Sequence, residues 1–425
     1  MAKENFESGN SKKASAKSFY IYTKTGCPRR SLESTKLYKY LTANNLRSVN
    51  TPKKADLIFI YTCGGFGLDE SFSIKTIEKS TKNKNAQIIV SGCLTKIDPD
   101  KLKAFKDALV LPPEDLWKLD SIINAKIPFT QIPRASVVDG VHDLYHGTYF
   151  NRIKRNIQSY ENMARIFKYY NRQLSHKPRD GLDDSSIYRV EIAKGCLSNC
   201  SYCAIKRAMP KFYSFPKEEI LNNFRNGLAS GYKKFALLAG DIGCYGLDVG
   251  TNLPQLLNEL FKVEGDYKVI LVDLNARWFI KYYQELLSVL KPNRNRVRSI
   301  ILPIQSGSNK ILNLMRRQYE IEDVKRCILD LQKNIPGLLI ETHIMVGFPG
   351  ETDSDFQESI NLIKEIPFGK LEIYRYQERK GTISASLTEK VSEAIIEDRV
   401  KIIKKEEKLL KIGRQKTKKI GNRIN

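Results

Sequence analysis

The sequence predicts an α/β protein with two parallel sheets: an N-terminal open parallel-sheet domain, then a second sheet of six β/α units rolled into a partial (β/α)6 barrel. Three observations lead to this. Between residues 19 and 95 an apolar run, a turn carrying Gly and Cys, and a segment of helical period follow one another three times. From residue 187 six further apolar runs alternate with helix-period stretches. Between the two series, residues 133–185 hold few apolar-periodic runs and many basic residues. Short apolar runs alternating with helices read as parallel strands, because a helical crossover is what joins parallel neighbours.

In the first series the runs are Phe19–Thr23 before Gly26-Cys27, Leu57–Thr62 before Cys63-Gly64-Gly65, and Gln87–Ser91 before Gly92-Cys93. Each places a cysteine just past the C-terminal end of a strand, the edge of an open parallel sheet where ligands gather. In 133–185 the basic residues Arg152, Lys154, Arg155, Arg165, Lys168, Arg172, Lys177 and Arg179 are interleaved with Tyr149, Tyr160, Tyr169 and Tyr170. That reads as a linker with one or two basic helices, or as a solvated connector. The second series predicts strands near 187–193, 234–239, 268–274, 299–305, 340–345 and 371–376, and helices near 217–230, 253–263, 278–290, 308–333, 353–365 and 389–411. The last helix runs into a basic tail in which ten Lys and Arg face two Glu over 401–425.

At 425 residues the length fits about three domains of roughly 150 residues. The expected boundaries are a disordered tail at 1–18, an α/β domain at 19–132, the basic linker at 133–185, the barrel core at 186–390, and a basic helix and tail at 391–425. Hydrophobic residues at 41% and charged residues at 28% exclude a fibrous or wholly disordered chain. No apolar stretch approaches the roughly 18 residues needed to span a bilayer, and the N-terminus shows no apolar signal segment. A cytoplasmic protein without a membrane partner is expected. The excess of 71 Lys and Arg over 47 Asp and Glu, a net +24, attracts phosphate backbones or acidic partners, although a Lys-rich composition also produces it. Eight cysteines in such a chain are metal ligands, catalytic groups or core thiols rather than a disulfide framework.

The most informative segment is Lys194-Gly195-Cys196-Leu197-Ser198-Asn199-Cys200-Ser201-Tyr202-Cys203, a C-x3-C-x2-C run directly after the first strand of the second series. Three thiolates on one loop can hold three irons of a [4Fe–4S] cube and leave the fourth iron open to a ligand. A zinc site would want a fourth Cys or His, and none lies within thirty residues downstream.

This loop, by spacing and place, resembles that of the radical S-adenosylmethionine superfamily. The likeness extends to Leu238-Ala239-Gly240-Asp241-Ile242-Gly243, to Pro303-Ile304-Gln305-Ser306-Gly307-Ser308, and to Val346-Gly347-Phe348-Pro349-Gly350-Glu351-Thr352. Together with the three dispersed cysteines upstream, the chain is similar to the methylthiotransferase family over 19–105 and 186–390. The stretch from Gly240 through Leu256 looks most like the branch that modifies threonylcarbamoyl-adenosine in tRNA.

The resemblance implies two [4Fe–4S] clusters and S-adenosyl-L-methionine as cofactors. Cys196, Cys200 and Cys203 would hold the cluster that cleaves S-adenosylmethionine to a 5′-deoxyadenosyl radical. Cys27, Cys63 and Cys93 would hold a second cluster that delivers sulfur. It further implies cofactor-binding roles for Tyr202 at adenine, for Gly240 and Asp241 at the S-adenosylmethionine amino group, and for Gln305 and Ser306 in the same cavity. A low-potential electron donor such as flavodoxin or ferredoxin, a sulfur donor and tRNA are the implied partners. Gly347, Pro349 and Gly350 read as adenosine-edge binding or as a structural turn. Cys244 and Cys327 match no family role and read as structural thiols, and His343 as an interior histidine. Arg316-Arg317 read as substrate contacts or as a solvated helix end.

Several positions depart from the family pattern. The Asn expected three residues after the first cysteine is Arg30, the basic run after the radical loop is Lys206-Arg207-Ala208-Met209-Pro210-Lys211, and the third strand ends Asp273-Leu274-Asn275-Ala276-Arg277-Trp278. The expected C-terminal RNA- or substrate-binding barrel does not follow the final helix in these 425 residues. These departures spare the cysteines and fall around the substrate. Three functions are therefore weighed: a methylthiotransferase acting on a modified tRNA adenosine, the same chemistry on a protein or peptide side chain, and a catalytically idle iron–sulfur protein that binds RNA or senses redox state.

Overall fold

A computed structural model describes residues 16–23, 27–65, 67–143 and 186–424. The tail 1–15 and residues 144–185, which carry most of the expected basic linker, lie outside the described residues. The chain divides into two compact units.

The first unit is built on β1 (Ser18–Thr23), β2 (Arg47–Ser48), β3 (Leu57–Thr62), β4 (Gln87–Gly92), β5 (Ala108–Val110) and β6 (His142–Asp143). The order is β2-β1-β3-β4-β5, with β6 also pairing β1, and every pairing is parallel. All residues of β1 and β3 are buried, which is why their sequences read as unbroken apolar runs rather than alternating ones. Phe19, Ile21, Phe59 and Tyr61 pack into one core and Tyr20, Tyr22, Ile58 and Ile60 into another, on the two faces of the sheet. The helices α1 (Pro28–Ala43) and α2 (Gly67–Ser80) are the crossovers after β1 and β3. The tail expected to reach residue 18 stops short of it: Ser18 opens β1, and its backbone N–H and its hydroxyl donate to Asp56 Oδ2 at 2.9 and 2.8 Å.

The second unit carries β7 (Ile187–Glu191), a small antiparallel pair β8 (Ala193–Lys194) and β9 (Tyr213–Ser214), then β10 (Lys234–Leu238), β11 (Lys268–Leu271), β12 (Val297–Gln305), β13 (Leu339–Val346) and β14 (Lys370–Arg375). Six of these form one parallel sheet in sequential order, β7-β10-β11-β12-β13-β14. That is the open (β/α)6 arrangement the sequence predicts.

Helices of six or more residues follow as α3 (Lys217–Ala229), α4 (Leu253–Phe261), α5 (Ala276–Lys281), α6 (Tyr283–Leu290), α7 (Asn309–Leu314), α8 (Ile321–Asn334), α9 (Asp353–Glu365) and α10 (Glu393–Ile424). Two expected single helices are each broken. The 308–333 segment splits into α7 and α8 around Arg316 and Gln318, both left-handed at φ 59°.

Alternate strand residues Phe235, Leu237, Val269, Leu271, Ile300, Leu302, Ile340 and Ile344 join the helices in one apolar core. Side chains alternate across a strand, so the opposite face carries Ser299, Glu341, His343, Glu372 and Tyr374 beside the buried Ile270 and Ile301.

The turn into α9 is fixed by Asp355, which accepts from the Thr352 backbone N–H at 2.9 Å, the Thr352 hydroxyl at 2.6 Å, Lys310 Nζ at 2.9 Å and the Ser308 hydroxyl at 2.7 Å. Burial pushes its carboxyl up, but the hydrogen bonds from Thr352, Lys310 and Ser308 outweigh that and hold it well below the usual carboxylate range. A depressed carboxyl contributes stability that is complete above its ordinary pKa and lost as pH falls through the folded value. Asp355→Ala should therefore destabilise the second unit by about 2 kcal/mol in neutral urea titrations, from the lost cap and its buried partners, with a smaller difference in strong acid.

Candidate metal centres

In the first unit, β1, β3 and β4 are immediate neighbours, and a cysteine follows each at the C-terminal edge. Cys27 is the N-cap of α1, and Cys63 and Cys93 follow β3 and β4 directly. The Cys93 backbone N–H donates to Thr62 O at 3.0 Å, tying the two strand ends together. Gly92 makes that possible, because it is left-handed at φ 99° and a Cβ there would sit 2.4 Å from Thr62 O. The Cys63 N–H donates to Ser73 Oγ at 3.0 Å, and Cys63 and Cys93 are buried. The Arg30 Nε donates to Cys93 Sγ at 3.1 Å.

In the second unit the loop Gly195–Phe212 is closed by the β8–β9 pair, in which Lys194 faces Tyr213. Gly240, two residues past the end of β10, lies so close to it that a Cβ there would meet Gly195 O at 2.1 Å. The Ser198 N–H donates to Cys196 Sγ at 3.3 Å, and Arg317 Nη1 donates to Cys200 Sγ at 3.3 Å. Donors aimed at sulfur favour thiolates, the form a metal requires.

Among the described residues one trio of possible metal-ligating side chains has its ligand atoms within 4.8 Å: Cys196, Asp241 and Cys244. Cys200 and Cys203 lie outside it. A single tetrahedral ion with metal–sulfur bonds of about 2.3 Å would draw its thiolates to roughly 3.8 Å, whereas in a cube each thiolate takes a different iron and they stand further apart. The loop thiols thus suit a cluster better than one ion. The neighbouring Cys244 thiol, opposed by burial and by Asp241, holds Cys196 below the ordinary thiol range.

The expected cofactor-binding residues separate by their partners. Asp241 is 3% exposed, and its carboxylate already accepts from the Gly243 and Asn275 N–H groups at 3.0 and 3.1 Å, the Ser198 hydroxyl at 3.2 Å and the Cys244 thiol at 3.4 Å. It is built as a clamp holding the loop to the strand ends. Ser306 accepts from the Ser308 N–H at 3.1 Å and lies 3.4 Å from Ser359 Oγ, so it shapes the turn. Gln305 is left-handed at φ 84°, and its buried Oε1 has no hydrogen-bond partner, which leaves an acceptor for a ligand. The Tyr202 hydroxyl lies 3.5 Å from Arg317 Nη1, and its ring meets Phe348 edge-on at 6.4 Å.

Two residues at the loop were missed as such. Arg317 is 5% exposed, which overturns its reading as a solvated helix end. Cys244, read as a structural thiol, sits against Cys196 and Asp241. Cys327 is a core thiol on α8, and His343 is an interior residue against Tyr374 and Glu372. Gly347 and Gly350 form a turn: the Gly347 N–H donates to Glu351 Oε2 at 2.7 Å, and Glu351 pairs with Arg399 at 2.7 Å. No helix among the described residues is long and apolar enough to cross a membrane.

Residues 190–363 match the Radical SAM superfamily, and residues 19–111 match the uncharacterized protein family UPF0004. The probable threonylcarbamoyladenosine tRNA methylthiotransferase of Pyrococcus horikoshii is 28% identical over 361 residues, 85% of this chain and 77% of that protein. The threonylcarbamoyladenosine tRNA methylthiotransferase MtaB of Thermotoga maritima is 29% identical over 346 residues, 81% of this chain and 71% of the relative. The ribosomal protein uS12 methylthiotransferase RimO of Clostridium botulinum is 30% identical over 380 residues, 88% of this chain and 78% of the relative. Among solved structures, the radical S-adenosylmethionine methyltransferase TsrM of Kitasatospora setae shares the fold, with a TM-score of 0.56 at 13% identity over 87% of this chain and 76% of that one.

The lowered pKa favours the Cys196 thiolate at a pH where an ordinary thiol is still protonated. In the metal-free protein, Cys196 alkylation by iodoacetamide should rise with a midpoint below the ordinary thiol value. Cys244→Ala should move the midpoint up toward the ordinary thiol value; an unmoved midpoint would show that the Cys244 contact does not set it.

Proposed function

We propose, from the premise that this chain belongs to the radical S-adenosylmethionine methylthiotransferase family, that it inserts a methylthio group at a C–H bond of a modified adenosine in tRNA. Enzymes of this family bind [4Fe–4S] clusters and S-adenosylmethionine, and this chain is an enzyme of that kind. On this reading Cys196, Cys200 and Cys203 hold the cluster that engages S-adenosylmethionine, and Cys27, Cys63 and Cys93 hold the auxiliary one. The observation that carries it is the arrival of three cysteines, spread over 67 residues of sequence from Cys27 to Cys93, at the ends of three adjacent parallel strands.

Such a bound cluster supplies the electron for reductive cleavage of S-adenosylmethionine, which no side chain provides. The chain's own residues do the rest. Arg317 and the Ser198 N–H stabilise the loop thiolates, Asp241 clamps the loop, Gly240 admits it, and Tyr202 borders it. Gln305 offers its unpartnered oxygen to an ammonium or hydroxyl group of S-adenosylmethionine. A low-potential electron donor and a sulfur donor complete the reaction.

Two findings support tRNA as the acceptor: the net charge of +24 and the likeness to relatives named for tRNA. A second reading, a side chain of a ribosomal protein, is favoured by the likeness to RimO over 88% of the chain.

Replacing Cys196, Cys200 or Cys203 by Ala should abolish 5′-deoxyadenosine formation, whereas Ala at Cys27, Cys63 or Cys93 should leave it and abolish methylthio product. Incubating reconstituted enzyme with tRNA bearing threonylcarbamoyl-adenosine, and separately with ribosomal protein uS12, decides the acceptor by mass spectrometry. Product on the tRNA alone is expected; product on the protein alone would overturn that choice.

A further inference from the structure

A guanidinium buried in the first turn of a helix stands in the wrong place electrostatically. Unpaired N–H groups make a helix N-terminus positive, so it favours anions and repels cations. The first turn of α1 nevertheless holds no acidic residue and carries Arg29 and Arg30, with Arg30 only 4% exposed. Burying a cation is expensive unless anions surround it.

The partners of Arg30 account for part of that requirement. Nη1 pairs with Glu33, one turn along the helix, and Nε donates to Cys93 Sγ at 3.1 Å. Nη2 is buried with no hydrogen-bond partner. A guanidinium stays protonated throughout the working pH range, so the site holds a permanent cation. Two more buried polar atoms without partners accompany it, Tyr61 Oη and Ser91 Oγ. Tyr61 and Ser91 face one another in the β3–β4 register, one residue before the two strand ends that lead to Cys63 and Cys93. Three buried polar atoms without partners, one on the residue that donates to Cys93 and two on the strands that lead to Cys63 and Cys93, describe a place where acceptors are missing, and inorganic sulfides are acceptors.

We infer that Arg30 is the fixed counter-charge of the auxiliary site, a positioning residue that donates to Cys93 and, through Nη2, to a sulfide of the cluster, and so favours the more negatively charged oxidation level. The inference rests on Cys27, Cys63 and Cys93 holding that cluster. One-electron reduction by a low-potential donor adds a negative charge to a site already anionic from three thiolates. A buried cation and a hydrogen bond to sulfur both stabilise that added charge, which raises the reduction potential.

The test uses the full-length chain with Cys196, Cys200 and Cys203 replaced by Ala, so that the auxiliary site alone is loaded with iron and sulfide. Iron content and the midpoint potential, followed by electron paramagnetic resonance during a dithionite titration, are compared for Arg30, Arg30→Lys and Arg30→Asn. With iron content equal, Arg30→Asn should show a lower midpoint and Arg30→Lys an intermediate one, since Lys keeps the charge but not the fork of donors. Equal midpoints for all three would overturn the inference while leaving the auxiliary site intact. If Arg30→Asn takes up no iron, the Arg30→Lys midpoint decides alone. If the Arg30 parent takes up no iron, the reading of these cysteines as ligands fails, and the inference fails with it.

Discussion

In a parallel sheet every strand ends on the same edge, and a residue one step past any strand arrives beside its counterparts from the neighbouring strands. Both candidate centres of this protein depend on that constraint. Cys63 and Cys93 need only follow β3 and β4 to become neighbours, although thirty residues separate them in sequence. In the second unit the same rule delivers Gly240, Gln305 and the turn after β13 to the edge where the cysteine loop is closed by β8 and β9. Burial on both faces fixes the strand register, and the register fixes where the thiols fall.

Charge is the second layer. Each centre pairs a buried guanidinium with a cysteine sulfur, Arg30 with Cys93 and Arg317 with Cys200. A thiolate in a low-dielectric site needs a donor, and a guanidinium supplies a permanent charge with several donors in fixed geometry. Arg317 is further held by Tyr319, whose hydroxyl is 3.2 Å from its Nε, and by Pro303 O, so it cannot turn away from the loop. Asp241 adds rigidity by spending all its acceptor capacity within the chain.

The strands were legible because their apolar runs are continuous, and Leu57–Thr62 is a strand over that whole span. The places of the six cysteines were legible, Cys27, Cys63 and Cys93 after strands and Cys196, Cys200 and Cys203 on one loop; their role as cluster ligands came from the family resemblance and is a proposal. Arg317 was not legible, because a pair of arginines after a short helix reads the same whether exposed or buried; only the break between α7 and α8 turns it inward. Cys244 was hidden for a related reason: its neighbours Cys196 and Asp241 are brought to it by a loop that crosses over the strand end, which no local pattern encodes. Arg30 was visible as an oddity of the pattern, and its burial in the first turn of α1 is what gives it a meaning.

Mössbauer spectroscopy with iron quantification on the anaerobically reconstituted wild-type chain addresses the central claim most directly. The account predicts about eight irons per chain, all in cubane signals, with one population perturbed by added S-adenosylmethionine and the other not. A single cubane population of about four irons, or mononuclear iron at Cys196, Asp241 and Cys244, would contradict it.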